Sequence, residues 1–478
     1  MSEHGAVADE PSIYDEGSTA HVPLRIAAVA ALGGLLFGYD SSVINGANDS
    51  IAKRFHVDSV SLGFAVASAL LGAAVGAMLA GRIADRFGRL TTMKVAAVLF
   101  LISAIVTGFA PALWVVVLGR ILGGLGVGLA SVIAPAYIAE ISPAHVRGRL
   151  GSLQQLAIVT GIFLAFLVNY TLQKIAGSAD AVLWLGQPAW RWMFLMMAIP
   201  AVVYGVLAFT IPESPRFLIS QGRIDQARRV LGGLLGTRGL DVKIVQIRQT
   251  LKSERKPSIR DLKGPAFGLA PIVWVGILLS VFQQFVGINV IFYYSNILWQ
   301  AVGFDQSQAF LISLISSIIN VLTTLIAIAT IDKFGRKPLL LVGSAGMTIS
   351  LAVMAFVFAT APVVNGTPHL NSWQGPVALI AANLFVIAFG MSWGPVVWVL
   401  LGETFPNRIR ASALSVAAAA QWVANWIITE TFPSLRDLSL GLAYGLYAGF
   451  ALLSFVFVKR WVRETNGVEL EDMHHTVD

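Results

Sequence analysis

Twelve runs of about 20 residues, almost free of charge, dominate this chain and restrict what it can fold into. Their approximate limits are 24–46, 60–80, 91–110, 112–138, 150–170 and 190–211, then 270–300, 308–331, 338–360, 376–401, 411–432 and 441–460. Each is continuously apolar, without the alternation of a barrel strand, so each reads as a membrane-crossing helix. The expected class is an all-α integral membrane protein with twelve transmembrane helices. Composition agrees: 56% of residues are hydrophobic and 12% charged, where a soluble protein carries roughly 25% charged residues. With no cysteine, disulfides, thiolate metal sites and cysteine nucleophiles are excluded. His4, His21, His56, His145, His369, His474 and His475 all lie outside the runs, which excludes an intramembrane histidine relay. No metal site and no cofactor is implied.

The pI near 9.7 does not point to nucleic acid, because the basic residues follow membrane topology. The loops after runs 2, 4, 6, 8 and 10, with Arg25 and the tail residues Lys459, Arg460 and Arg463, hold 27 of the 33 lysines and arginines. That face is expected to be cytoplasmic, with both termini on it. The first 22 residues are polar and acidic and lack the charge and apolar pattern of a secretory signal. The expected organisation is a tail at 1–23, a six-helix bundle at 24–211 and a cytoplasmic linker of short amphipathic helices at 212–269. A second bundle at 270–460 and a tail at 461–478 follow.

The halves echo each other. GRIADRFGR at 81–89 follows run 2, and IDKFGRK at 331–337 follows run 8; AEISPAHVRGR at 139–149 follows run 4, and GETFPNRIRAS at 402–412 follows run 10. Two motifs at equivalent places indicate internal duplication, and a duplicated bundle places a substrate site between its halves near the midplane. The charged set at these helix ends comprises Asp85, Arg86, Arg89, Glu140, Arg147, Arg149, Asp332, Arg336, Glu403, Arg408 and Arg410. Ion pairs among them can latch one conformation and break in another; the alternative is simple positive-inside anchoring. Four related copies favour the latch.

Side chains that both donate and accept hydrogen bonds suit a ring of hydroxyls, and an aromatic ring suits the C–H face of a pyranose. The second half supplies Gln283, Gln284, Asn289, Asn320, Trp398, Gln421 and Trp422; Gln155 comes from run 5. The alternative for any lone amide is an interhelical hydrogen bond. In strong motif context two ionisable residues stand well inside the runs, Asp40 and Arg120, and intramembrane charges are functional candidates by default. Glu430, near the far end of run 11, is assigned no role.

These motifs, with GLLFGYDSSVING at 34–46, PESPRFL at 212–218, QQFVGINVIFYYS at 283–295 and WGPVVWVLLGETFPNRIR at 393–410, resemble the sugar porter family of the major facilitator superfamily. The likeness extends over residues 24–470 and is to bacterial xylose–proton symporters and human facilitative glucose transporters. RETNG at 463–467 and Ile328 in the second GRIADRFGR copy depart from the family pattern. The resemblance implies a major facilitator fold, with pseudo-symmetric 6+6 halves and inverted 3+3 repeats. It implies that Gln155, Gln283, Gln284, Asn289, Asn320, Trp398 and Gln421 contact sugar, with Phe37, Tyr293 and Trp422 as pocket walls. Ile162 stands where the xylose symporters have a glutamine and glucose facilitators an apolar residue, which favours a hexose or cyclitol over a pentose. In proton-coupled members an aspartate at position 40 pairs with an arginine at position 120; facilitative members have a neutral amide instead.

The expectation is therefore a non-enzymatic importer of a monosaccharide, most simply glucose, in symport with protons by alternating access. It would act as a monomer in the inner or plasma membrane, with sugar, protons and lipid as its partners. The alternatives are a facilitative uniporter with Asp40 structural, a myo-inositol or xylose symporter, a non-transporting sensor, disfavoured by short tails, and an organic-anion carrier, disfavoured because Asp40 can neutralise Arg120.

Overall fold

A long apolar run in hydrocarbon has no partner for its peptide groups except itself, and so closes its hydrogen bonds as a helix. The structure is a computed structural model that describes residues 21–141, 147–236, 239–253, 259–364, 367–405 and 409–465. Eleven spans among the described residues are long and apolar enough to cross a membrane. They are Leu24–Gly46, Ser59–Phe87, Arg89–Gly108, Leu113–Ile141, Leu153–Ala176, Ala189–Leu207, Pro271–Ala301, Gln306–Ile331, Arg336–Ala359, Gln374–Leu401 and Leu440–Trp461. The twelfth element is the 29-residue helix Arg410–Leu438, which Gln421, Asn425 and Glu430 make less apolar. In chain order it is span 11, and the spans are numbered accordingly below.

Spans 1 to 6 pack mainly on one another, span 4 against spans 2 and 3 and span 5 against span 1; in the second half span 12 packs on span 9 and span 11 on span 7. The halves meet where span 5 packs on span 8 and span 11 on span 2, two contacts that the duplication makes equivalent. Between them Pro215–Ser220, Ile224–Leu235 and Leu240–Ser253 form short helices around a small core of Leu218, Ile219, Ala227, Leu231 and Ile244.

Continuity of the apolar runs concealed three breaks, the first in span 6 between Ala189–Leu195 and Ala198–Leu207. Span 7 is two helices, Pro271–Phe285 and Ile288–Ala301, joined through Gly287 at φ 84°. Span 10 divides into Gln374–Gly390 and Trp393–Thr404. Two hairpins, Val182–Trp184 with Gln187–Pro188 and Val363–Val364 with Thr367–Pro368, were also not foreseen.

The basic face carries a symmetric device. Glu213, just after span 6, accepts the amides of Arg89 and Leu90 at 3.0 and 3.2 Å. Glu464, just after span 12, accepts those of Arg336 and Lys337 at 3.0 and 2.9 Å. Each carboxylate thus satisfies unpaired donors at a helix N-terminus and lies at its positive end. The preceding Gly88 and Gly335 have φ of 99° and 84°, and a Cβ on either would meet the carboxylate. RETNG therefore departs from the family pattern in sequence while its glutamate does the same work as that of PESPRFL.

On the opposite face hydrogen bonds join the halves. The Asn296 amide donates to Asn45 Oδ1 at 3.0 Å, and Asn296 Nδ2 to the Asn45 carbonyl at 3.2 Å. Asn48 Nδ2 donates to the Tyr293 carbonyl at 2.5 Å, and the Ala179 amide to Gln306 Oε1 at 2.9 Å. These bonds close the two halves on each other on this side.

Two outcomes are expected. Glu464→Gln should lower stability by about 0.3–1 kcal/mol through the lost charge–dipole term, read as a fall in melting temperature in detergent, and Gly335→Ala should lower it further. In this cysteine-free chain, Phe166→Cys should be labelled faster by an impermeant maleimide applied to the face opposite the basic one when Asn296→Ala is added.

Candidate functional site

Asp40 and Arg120 come together at the centre of the first half. Asp40, on span 1, is 1% exposed, and Arg120, on span 4, is 2% exposed. Their pairing is indirect. Arg120 Nη1 donates to the main-chain carbonyl of Asp40 at 2.5 Å and stands 3.5 Å from its Oδ2. Among the described residues neither carboxylate oxygen has a hydrogen-bond partner. A buried acceptor without a partner is costly as an anion. The guanidinium is held through the backbone, so it stays in place whether or not the side chain carries a proton. The carboxylate lies against Gly123 on span 4, where a Cβ would meet Asp40 Oδ1 and Ser103 Oγ. Gly123, the first residue of the glycine-rich stretch GGLGVGLAS at 123–131, thus makes room for the acid.

The amides of the second half form one chain. Asn289 Nδ2 donates to Gln284 Oε1 at 2.5 Å, and Gln284 Nε2 to Gln283 Oε1 at 3.3 Å. Gln421 Nε2, from span 11, donates to the same Gln283 oxygen. Gln283 Nε2 reaches the carbonyls of Trp393 and Gly394 at 2.8 and 3.3 Å, tying the row to the break in span 10. Trp393 is itself fixed by its indole N–H, which donates to Ser344 Oγ at 2.9 Å. Gln421 Oε1 is buried with no partner among the described residues, an acceptor left for a hydroxyl.

Around this row Asn320 lies beside Gly390 at the span 10 break, and Trp398 is 46% exposed on the segment beyond it. Phe37 of span 1 and Trp422 of span 11 bring their rings to 6.1 Å, tilted by 38°, so an aromatic wall crosses from one half to the other. The Tyr293 side chain, from span 7, lies near Ser41 and Asn425. Since Ser41 adjoins Asp40, the tyrosine stands where the amide row's span packs on the acid's helix. Gln155 and Ile162 are half-buried on span 5, and no hydrogen bond joins either to the amide row among the described residues.

The charged set on the basic face is partly assembled. Arg89 grips Glu140 through Nε and Nη2 at 3.1 and 2.9 Å, and Ser214 donates to the same carboxylate. Asp85, at the end of span 2, pairs with Arg89, at the start of span 3, at 3.2 Å across the turn at Gly88. Arg86 lies over the Phe87 ring. Arg336 is buried and donates to the Ile331 carbonyl. The side chains of Arg147, Arg149, Asp332, Glu403, Arg408 and Arg410 lie outside the described residues. Glu140 thus pairs with Arg89 within the expected charged set; sequence reasoning did not name Ser214 as its further partner. It also missed Glu213 and Glu464, whose signal was their matching place just after the sixth span of each half.

Comparison with known proteins bears on the family and the fold. Residues 26–476 match the family model described as sugar (and other) transporter. The chain is 56% identical to a glucose transport protein of Synechocystis, over 97% of this chain and 100% of that one. It is 41% identical to the D-xylose-proton symporter of Escherichia coli K12, over 94% of each. Among solved structures it is similar to the inward-open xylose transporter XylE of E. coli, with a TM-score of 0.79 at 39% identity, covering 94% of this chain and 98% of that one. XylE bound to 6-bromo-6-deoxy-D-glucose gives a TM-score of 0.77 at 38% identity, covering 96% and 100%. This twelve-span chain, with a major facilitator fold, belongs to the sugar transporter family.

Proposed function

We propose that this protein is a secondary active transporter that imports a monosaccharide, glucose by preference, in symport with protons by alternating access. The observation that carries the coupling is the geometry at Asp40: a buried carboxylate with no hydrogen bond among the described residues, beside an arginine held by that residue's own carbonyl. Such a carboxyl can take up or lose a proton without releasing the guanidinium, and its proton affinity changes when motion alters its water access or its distance from Arg120.

The sugar lies along the amide row. Gln283, Gln284, Asn289, Asn320 and Gln421 offer donors and acceptors to its hydroxyls, and Phe37, Trp398 and Trp422 cover its apolar face, with Gln155 and Ile162 closing the span 5 side. Ile162 presents no hydrogen-bonding group, which suits a hexose. In the cycle a proton loads onto Asp40 and a sugar onto the row. Tyr293, packed near Ser41 beside the acid, conveys the arrangement of span 7 to span 1. The halves then rock, and the Arg89–Glu140 grip and its counterpart on the second half break and re-form at the basic, cytoplasmic face. The carrier works as a monomer in the cell membrane, with both termini inside, and leaves its substrate chemically unchanged.

In sealed vesicles the wild type should accumulate labelled glucose above equilibrium and lose this with an uncoupler. Asp40→Asn should retain sugar counterflow but not accumulation; uncoupler-insensitive equilibration by both proteins would instead mark a uniporter. Gln283→Ala should weaken sugar binding about tenfold, the size expected when buried polar partners are stranded, as measured by KM for counterflow.

A further inference from the structure

A two-residue turn just before span 7 carries a residue that does not suit its backbone. Ala266 and Leu269 pair as an isolated antiparallel bridge, exchanging amide bonds of 3.1 and 3.0 Å. The loop between them is Phe267, at φ 48°, and Gly268, at φ 86°. Positive φ at both positions selects Asn, Asp or Gly, and a bulky side chain there is strained. Yet Phe267 occupies it, and its side chain is 97% exposed. The turn is braced so that it stays this way: Trp274 donates its indole N–H to the Ala266 carbonyl at 2.8 Å, with its ring edge-on to Phe267 at 6.4 Å.

The same construction recurs on the opposite face. Leu185, at φ 51°, and Gly186, at φ 69°, form the tip of the hairpin before span 6, and Leu185 is 85% exposed. Trp192 donates to the Trp184 carbonyl at 3.0 Å, again eight residues away, with ring centres 5.4 Å apart. An apolar residue held out on a tryptophan-braced turn at each end of the bundle suits the membrane–water boundary, where tryptophan is enriched.

The turn on the basic face has more. Phe267 borders a groove of about 470 Å³ between the start of span 7 and the end of span 12, whose walls include Trp274, Val275, Leu278, Phe457 and Trp461. Its lining is apolar. At its mouth the Arg460 guanidinium lies 5.4 Å over the Trp461 ring, and Lys263, three residues before the turn, is exposed. Apolar walls below and cations above match a phospholipid: an acyl chain in the groove and a phosphate at the rim.

We propose that this groove binds an anionic phospholipid of the basic-side leaflet, clasped by Phe267 over its acyl chain and by Arg460 and Lys263 at its headgroup. The test uses the purified full-length protein, stripped of lipid in detergent and titrated with phosphatidylglycerol or phosphatidylcholine under native mass spectrometry, with melting temperature recorded in parallel. The wild type should bind phosphatidylglycerol more tightly than phosphatidylcholine, and each of Arg460→Gln and Lys263→Gln should reduce that preference about fivefold, the effect of one basic residue near an anionic headgroup. Phe267→Asn should bind both lipids several-fold more weakly. Its lipid-free melting temperature should hold or rise, because asparagine suits the left-handed turn, so a loss of binding cannot be ascribed to misfolding. Equal binding of the two lipids by the wild type would overturn the headgroup assignment. Wild-type affinity in Phe267→Asn would overturn the clasp.

Discussion

A carboxylate and a guanidinium at membrane depth constrain everything packed around them. Each charge is costly away from water, and removal of one strands the other. Here the arginine is anchored on a backbone carbonyl and the carboxylate has no hydrogen bond among the described residues. That division lets one member of the pair change charge while the other stays put. The surroundings fit it: Gly123 withdraws to admit the acid, and Tyr293 reaches across from span 7 to the residue beside it. A purely structural ion pair would be better served by direct charge-assisted hydrogen bonds between the two side chains.

The second half solves a different problem. Amide side chains within membrane-crossing helices must be satisfied when no sugar is present, yet free to rearrange when one arrives. The row Asn289–Gln284–Gln283–Gln421 meets the first need by mutual bonding, and its attachment to the broken tenth span meets the second. Breaks in spans 7 and 10 place irregular backbone where it is buried in protein rather than exposed to lipid, the one setting in which a membrane tolerates it.

Much of this was legible in the residues. Apolar length gave the twelve spans, basic loops gave two distinct faces, and repeated motifs gave the duplication, because each is a local property of the chain. Asp40 and Arg120 stood out as charges in apolar surroundings. The helix breaks were not legible, since hydropathy does not register a change in backbone direction: Gly287 sits in a run as apolar as its neighbours. Partners were harder still. Glu213 and Glu464 act on helix ends more than 120 positions away in sequence, and only the fold brings them there. Arg89 and Glu140, both named from the sequence as latch candidates, meet because the fold brings two separate helices together.

The central claim is that one buried carboxyl carries one proton per sugar. It is tested most directly by measuring proton and sugar movement together, in proteoliposomes containing purified protein and an internal pH indicator, with no imposed gradient. Addition of glucose should acidify the lumen in step with sugar entry, at about one proton per sugar, the capacity of a single carboxyl group, and Asp40→Asn should admit sugar without acidification. Sugar entry without proton movement in the wild type, or undiminished acidification in Asp40→Asn, would contradict the account.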